Sequence, residues 1–180
     1  MKKLLSLLVA ITGLLLTIYQ PLSAQEKKVA NKVLYSEIGG PTSGFISVSA
    51  NFDSRFKSNE RLGLGYRLGA GFGIGEFYHR EEHYRAAIAH GSFPVGLNYV
   101  IGKPYSNKTF EVGGGITLLT SEVTNYNRDE KPDNMIGFLT FMYRTMPVHG
   151  GFSFRIGFTP IIGMSGDVYP WGTIGFGYAF

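Results

Sequence analysis

The sequence predicts an all-β protein: an antiparallel up-and-down transmembrane β-barrel of about eight strands, following a cleaved signal peptide. Three observations predict it. From residue 33 onward, apolar side chains alternate with small or polar ones. The chain opens with an export leader. The long apolar run lies within that leader, so any membrane contact by the rest must be made by strands.

Composition agrees. Of 180 residues, 25 are Gly, aromatics make up 14% and charged residues 17%. Soluble domains usually carry ~25% charged residues. The glycines follow no three-residue period, which excludes collagen. The absence of Cys excludes disulfides, thiolate metal sites and a lipidated cysteine anchor. Loss of Lys2 and Lys3 with the leader lowers the formal charge from +4 to +2. That is too small a charge to point to nucleic acid.

Met1-Lys2-Lys3 forms a positive start, Leu4 to Tyr19 an apolar stretch, and Pro21-Leu22-Ser23-Ala24 a small-residue cleavage site. The pattern is a secretory signal cut after Ala24. The expected division is residues 1–24 signal peptide, 25–32 a short periplasmic segment and 33–180 the barrel. A membrane-anchoring helix is the alternative, but the apolar stretch is short of the ~20 residues a span needs.

Eight segments alternate in turn. Val33 to Ile38 is the weakest, with Glu37 placed on the small, polar face. Ile46, Val48, Ala50 and Phe52 alternate with Ser47, Ser49 and Asn51. Leu62 to Ile74 is the clearest: even positions are apolar, odd ones Gly or Arg67. Phe93, Val95, Leu97, Tyr99 and Ile101 alternate with Pro94, Gly96 and Asn98. Phe110, Val112, Ile116 and Leu118 alternate with Glu111, Gly113, Gly115 and Thr117. Leu139, Phe141 and Tyr143 alternate with Thr140, Met142 and Arg144. Phe152, Phe154, Ile156 and Phe158 alternate with Ser153, Arg155 and Gly157. Ile174, Phe176, Tyr178 and Phe180 alternate with Thr173, Gly175, Gly177 and Ala179. A strand separates such sets onto two faces, whereas a helix mixes them.

The connections differ in length. Residues 39–43, 57–60, 102–108 and 145–150 are short, 162–170 is intermediate, and 76–91 and 121–134 are long and polar. Long and short connections alternate after the first turn, as in outer-membrane barrels with short periplasmic turns and longer outer loops. Both chain ends then fall on the periplasmic side. The short first connection breaks the pattern.

The bulky face suits lipid and the small face a narrow lumen. A soluble barrel would reverse the two and carry far more charge outside. A barrel of this size holds only side chains in its interior. Glu37, Arg67, Glu111, Arg144 and Arg155 lie on the small face, where desolvation requires them to pair. They are expected to form a lumen ion-pair network; the alternative is solvated residues near strand ends. Aromatics near the strand ends, among them Phe56, Tyr99, Phe110, Phe152 and Trp171, suit interfacial girdles.

The final strand, with Phe176, Tyr178 and Phe180 spaced by two, resembles the last-strand signal read by the barrel assembly machinery. Val33-Leu34-Tyr35-Ser36-Glu37-Ile38-Gly39-Gly40-Pro41 resembles the opening of small Bacteroidetes-type outer-membrane β-barrel proteins. Phe93 to Lys103, Phe154 to Pro160 and Pro170-Trp171-Gly172 resemble that family too. The resemblance covers nearly all of the mature chain. It implies a fold and an outer-membrane location, not a reaction.

Enzymatic readings are weak. His90-Gly91-Ser92 has the spacing of a lipid A deacylase pair, but Phe93, Val95 and Leu97 place His90 and Ser92 away from lipid. His79, His83 and His90 with Glu76, Glu81 and Glu82 would make a metal site only if that stretch were helical. Gly69 to Gly75 opens no helix and fails as a phosphate loop. No catalytic, cofactor or metal residue is expected. The expected role is structural or surface-interacting, through residues 76–91 and 121–134. A narrow pore is the alternative, then a lipid-modifying enzyme. Expected partners are outer-membrane lipid and the assembly machinery, with an unidentified outer ligand at the long loops.

Overall fold

The computed structural model describes residues 29–42, 46–79, 84–123, 133–164 and 166–180. The expected signal peptide, residues 1–24, lies outside them. So do residues 80–83, which include Glu81, Glu82 and His83, and residues 124–132.

Ten strands form: β1 (Lys32–Gly39), β2 (Ile46–Arg55), β3 (Gly63–His79), β4 (Tyr84–Gly102), β5 (Lys108–Val123), β6 (Asp133–Thr145), β7 (Gly151–Phe158), β8 (Ile161–Ile162), β9 (Val168–Tyr169) and β10 (Gly172–Ala179). Neighbours in sequence pair antiparallel from β1 to β7, and β10 pairs with both β7 and β1. The sheet therefore closes on itself. β7 and β8 make one stave interrupted at Thr159 and Pro160, and β9 and β10 another interrupted at Pro170 and Trp171. Proline has no N–H to give a ladder. Around the break, Thr159 N–H donates to Trp171 O at 2.7 Å and Leu139 N–H to Pro160 O at 3.0 Å. Counted as staves, the barrel has the eight expected.

Alternation sorts the residues as the pleat requires. Leu34, Ile38, Val48, Leu68, Val95, Leu97, Ile116, Leu139 and Ile156 are exposed on the outer wall. Glu37, Asn51, Arg67, Asn98, Glu111, Thr117, Arg144 and Arg155 are buried inside. Such a wall is the reverse of a soluble barrel. Exposed aromatics lie toward both ends: Phe56, Tyr99, Phe110, Tyr143, Phe152, Tyr178 and Phe180 toward the short turns, and Phe72, Phe93 and Phe158 toward the other end.

Two expectations need correction. Residues 76–91 are not a long loop: β3 continues to His79 and β4 starts at Tyr84, paired down to His79–Tyr84. Residues 121–134 shorten in the same way, because β5 reaches Val123 and β6 starts at Asp133. β3 and β4 hold 17 and 19 residues, beyond the ~9–11 of a spanning strand. Outside an apolar slab no alternation is demanded, yet the backbone ladder persists. β2 stops opposite Ile74, and the β4–β5 ladder stops at Ser92. The far end of the β3–β4 hairpin is thus a two-stranded ribbon projecting past the rim. The second correction follows: the metal reading needed a helix over 81–89, and the described part of that stretch is strand.

The first turn bends inward. Gly39 and Gly40 have φ of 78° and 82°, a region that favours glycine. A Cβ on Gly39 would stand 2.3 Å from Gly172 O. Pro41 and Thr42 are buried as a result.

Candidate functional site in the barrel lumen

Period-two parity delivers charges from separate walls to one level of the lumen. β1 supplies Glu37, β2 Asp53 and Arg55, β3 Arg67, β5 Glu111, β6 Arg144 and β7 Arg155. The side chains of these seven residues are at most 3% exposed.

They form one connected network. Arg67 pairs with Glu37 Oε2 and places Nε 3.2 Å from Asn51 Oδ1. Arg155 bridges two carboxylates, with Nε 3.1 Å from Glu37 Oε1 and Nη2 2.8 Å from Glu111 Oε1. Arg144 Nη1 lies 2.5 Å from Glu111 Oε2 and 3.2 Å from Asp53 Oδ2. Arg55 pairs with Asp53 Oδ1 and donates to Gly63 O at 2.8 Å. Asn98 accepts from Arg55 at 2.5 Å and donates to Asp53 at 2.5 Å. The Arg155 guanidinium carbon sits 4.3 Å from the centre of the Tyr35 ring, a cation–π contact. Such charges persist in low dielectric only when paired and hydrogen-bonded.

Glycines on the facing strands make room for these side chains. A Cβ on Gly175 would stand 2.9 Å from Arg155 Cγ and 2.9 Å from Glu37 Cγ; one on Gly65 would meet Arg55 Cζ at 2.3 Å.

Apolar layers flank the charges. Ala30, Val33, Tyr35, Met146 and Ala179 cluster toward the short-turn end, and Leu119, Ile136 and Ile161 toward the other, backed by Tyr169 and Trp171. Below the first layer, Arg61 is buried and, among the described residues, binds backbone oxygens only. It donates to Pro104 O at 3.2 Å, Met146 O at 2.7 Å, Lys103 O at 2.9 Å and Ser106 O. Burial and the nearby Arg144 lower its pKa. At the opposite mouth, Thr117 on β5 donates to Pro41 O at 2.5 Å, drawing the first turn across the barrel.

All five charges expected in the lumen, Glu37, Arg67, Glu111, Arg144 and Arg155, come together there. Asp53, Arg55 and Arg61 were missed. Extending the odd parity of Ser47, Ser49 and Asn51 by two steps finds Asp53 and Arg55; Arg61 sits in a turn, where parity gives no signal. Phe176 and Tyr178 face outward on β10, and Phe180 follows it, its N–H donating to Lys32 O at 2.9 Å. His90 and Ser92 are buried on the inner side of β4, away from the outer wall. Among the described residues no group of His, Cys, Asp and Glu is arranged to hold a metal ion.

The barrel resembles the crystal structure of the N-terminal β-barrel domain of Pseudomonas aeruginosa OprF, with a TM-score of 0.55 over 84% of this chain and 99% of that one. At 14% identity the likeness is one of fold: a closed, antiparallel eight-stranded barrel. No protein-family model matches the sequence, and no curated protein does.

Beside that barrel, the lumen described above is a packed interior. Its charged groups are paired with one another, and an apolar cluster of described residues lies on each side of them. The arrangement suits rigidity.

Proposed function

We propose that this chain is an outer-membrane barrel that serves as a closed, non-conducting and non-enzymatic scaffold, exported by a cleaved signal and presenting its long hairpins at the cell surface. The observation that carries the reading is the lumen. Seven charged side chains, each at most 3% exposed, are locked together between two apolar layers. The oily outer wall supports a lipid setting, since a contiguous apolar face of this extent is stable only when covered. The β3–β4 ribbon supports a surface role, because it extends past the last described pairs of its neighbours, Ile46–Ile74 and Ser92–Leu119. Its unpaired backbone edges are the kind that accept an added strand.

Within this reading, short turns face the periplasm, and Phe176, Tyr178 and Phe180 form the signal handed to the assembly machinery. The resemblance to small Bacteroidetes-type barrels supports the same location. The test is current through planar bilayers holding the purified, folded chain. No conductance step is expected. Reproducible single-channel steps from heat-modifiable protein would replace the scaffold with the narrow pore.

A further inference from the structure

The lumen charges do not cancel. Arg55, Arg67, Arg144 and Arg155 face Glu37, Asp53 and Glu111, leaving one positive charge in excess at that level. Arg61 below adds another cation, which among the described residues meets only carbonyl oxygens. Arginine does not shed its proton in proteins. Protonating a carboxylate would enlarge the surplus. An uncompensated buried charge is strongly destabilising.

Unused donors accompany this surplus. Arg67 Nη1, Arg155 Nη1 and the Tyr35 hydroxyl are buried and have no hydrogen-bond partner among the described residues; Arg155 Nε and Glu37 Oε1, 3.1 Å apart as an ion pair, likewise make no hydrogen bond there. All three groups belong to one neighbourhood. The Arg155 and Arg67 guanidinium carbons lie 4.3 Å and 5.6 Å from the Tyr35 ring centre. Both arginines also hold Glu37, whose two oxygens they divide between them. Phe138 closes the far side, its ring centre 5.8 Å from the Arg67 guanidinium carbon.

We propose that the lumen holds a resident monovalent anion, of halide size, bound by Arg67, Arg155 and the Tyr35 hydroxyl. It cancels the excess charge and takes up the unused N–H and O–H donors. The apolar layers above and below slow its exchange, so it enters as the barrel folds. The inference rests on the sealed lumen of the scaffold reading, but the two fail separately. Bilayer current with an anion present would overturn only the scaffold. A silent barrel without an anion would overturn only this site.

The experiment refolds the chain into detergent with sodium bromide as the sole halide and locates bromine by anomalous diffraction. One lumen peak is expected within hydrogen-bond reach of Arg67 and Arg155. Refolding in sodium gluconate at equal ionic strength should give a lower melting midpoint. Tyr35→Phe, which removes only the hydroxyl, should fold and show reduced bromide occupancy. Arg67→Gln, which removes the surplus, should show no peak and equal melting in the two salts. A lumen without a bromine peak in the parent protein overturns the proposal. So does a peak of undiminished occupancy in both variants.

Discussion

The Thr117 hydroxyl and the Pro41 carbonyl, 76 residues apart in sequence, meet at 2.5 Å inside the barrel. They come from opposite walls, β5 and the turn after β1. The described start of the first connection, Pro41 and Thr42, turns inward. Removing the bond with Thr117→Val should cost about 1–2 kcal/mol by the usual worth of a buried hydrogen bond. Urea unfolding of the refolded protein in detergent measures it. Conductance should stay absent, because the charged layer beneath is untouched.

Glu111 receives both Arg144 and Arg155. Glu111→Gln should lower stability by about 3–5 kcal/mol, the range for breaking a buried pair from one side. The exposed Lys57–Glu60 pair, at 3.4 Å, is the internal control. Lys57→Ala should change stability by less than about 1 kcal/mol. Equal effects at the two places would show that water reaches the lumen.

Gly175→Ala introduces a Cβ 2.9 Å from carbon atoms of both Arg155 and Glu37. Overpacking of this kind costs about 1–3 kcal/mol. The same change at Gly172, where a Cβ would meet nothing within 4 Å, should be close to neutral. Heat-modifiable gel mobility followed against temperature separates the two.

Arg61→Ala removes a donor from four turn carbonyls, of which Lys103 O keeps the Ser106 N–H at 3.1 Å. Arg61→Lys should restore only part of the loss, since an ammonium lacks the planar fork that reaches several oxygens at once. Thermal unfolding of both variants checks the order parent, Lys, Ala.

Leu97 stands 55% exposed on the outer wall, and Tyr105 93% exposed in the β4–β5 turn. If lipid covers the wall, Leu97→Arg should destabilise the folded protein in bilayers by up to about 2–4 kcal/mol. Tyr105→Arg should not. Folding yield into lipid vesicles distinguishes them, and equal yields would overturn the outward orientation of the oily face.

Much of this architecture was readable from parity. Where one side of a strand meets an apolar surround and the other a packed interior, every second residue is constrained, as in Leu62 to Ile74. Parity also brought Glu37, Arg67, Glu111, Arg144 and Arg155 to one face. It fell short where the constraint ends. Past Ile74 the sequence no longer alternates, and charged residues such as Glu76 and His79 resemble a loop although the ladder continues. Asp53 and Arg55 continue the odd parity past Phe52, but Ser54 interrupts the apolar face that makes the alternation legible. Arg61 has no sequence signature, because its partners are backbone oxygens that any residue could supply. The intermediate connection over 162–170 gave no sign that β8 and β9 pair there.

The central salt bridges draw on β1, β2, β3, β5, β6 and β7, so no single hairpin contains the set. While the sheet is open, Glu37 and Arg155 have no reason to leave water, and their hydration opposes early collapse of the interior. The penalty and its repayment arrive in the same step, when β1 meets β10. Partially assembled forms should therefore remain wet and loosely held, and the completed cylinder should melt as one cooperative unit.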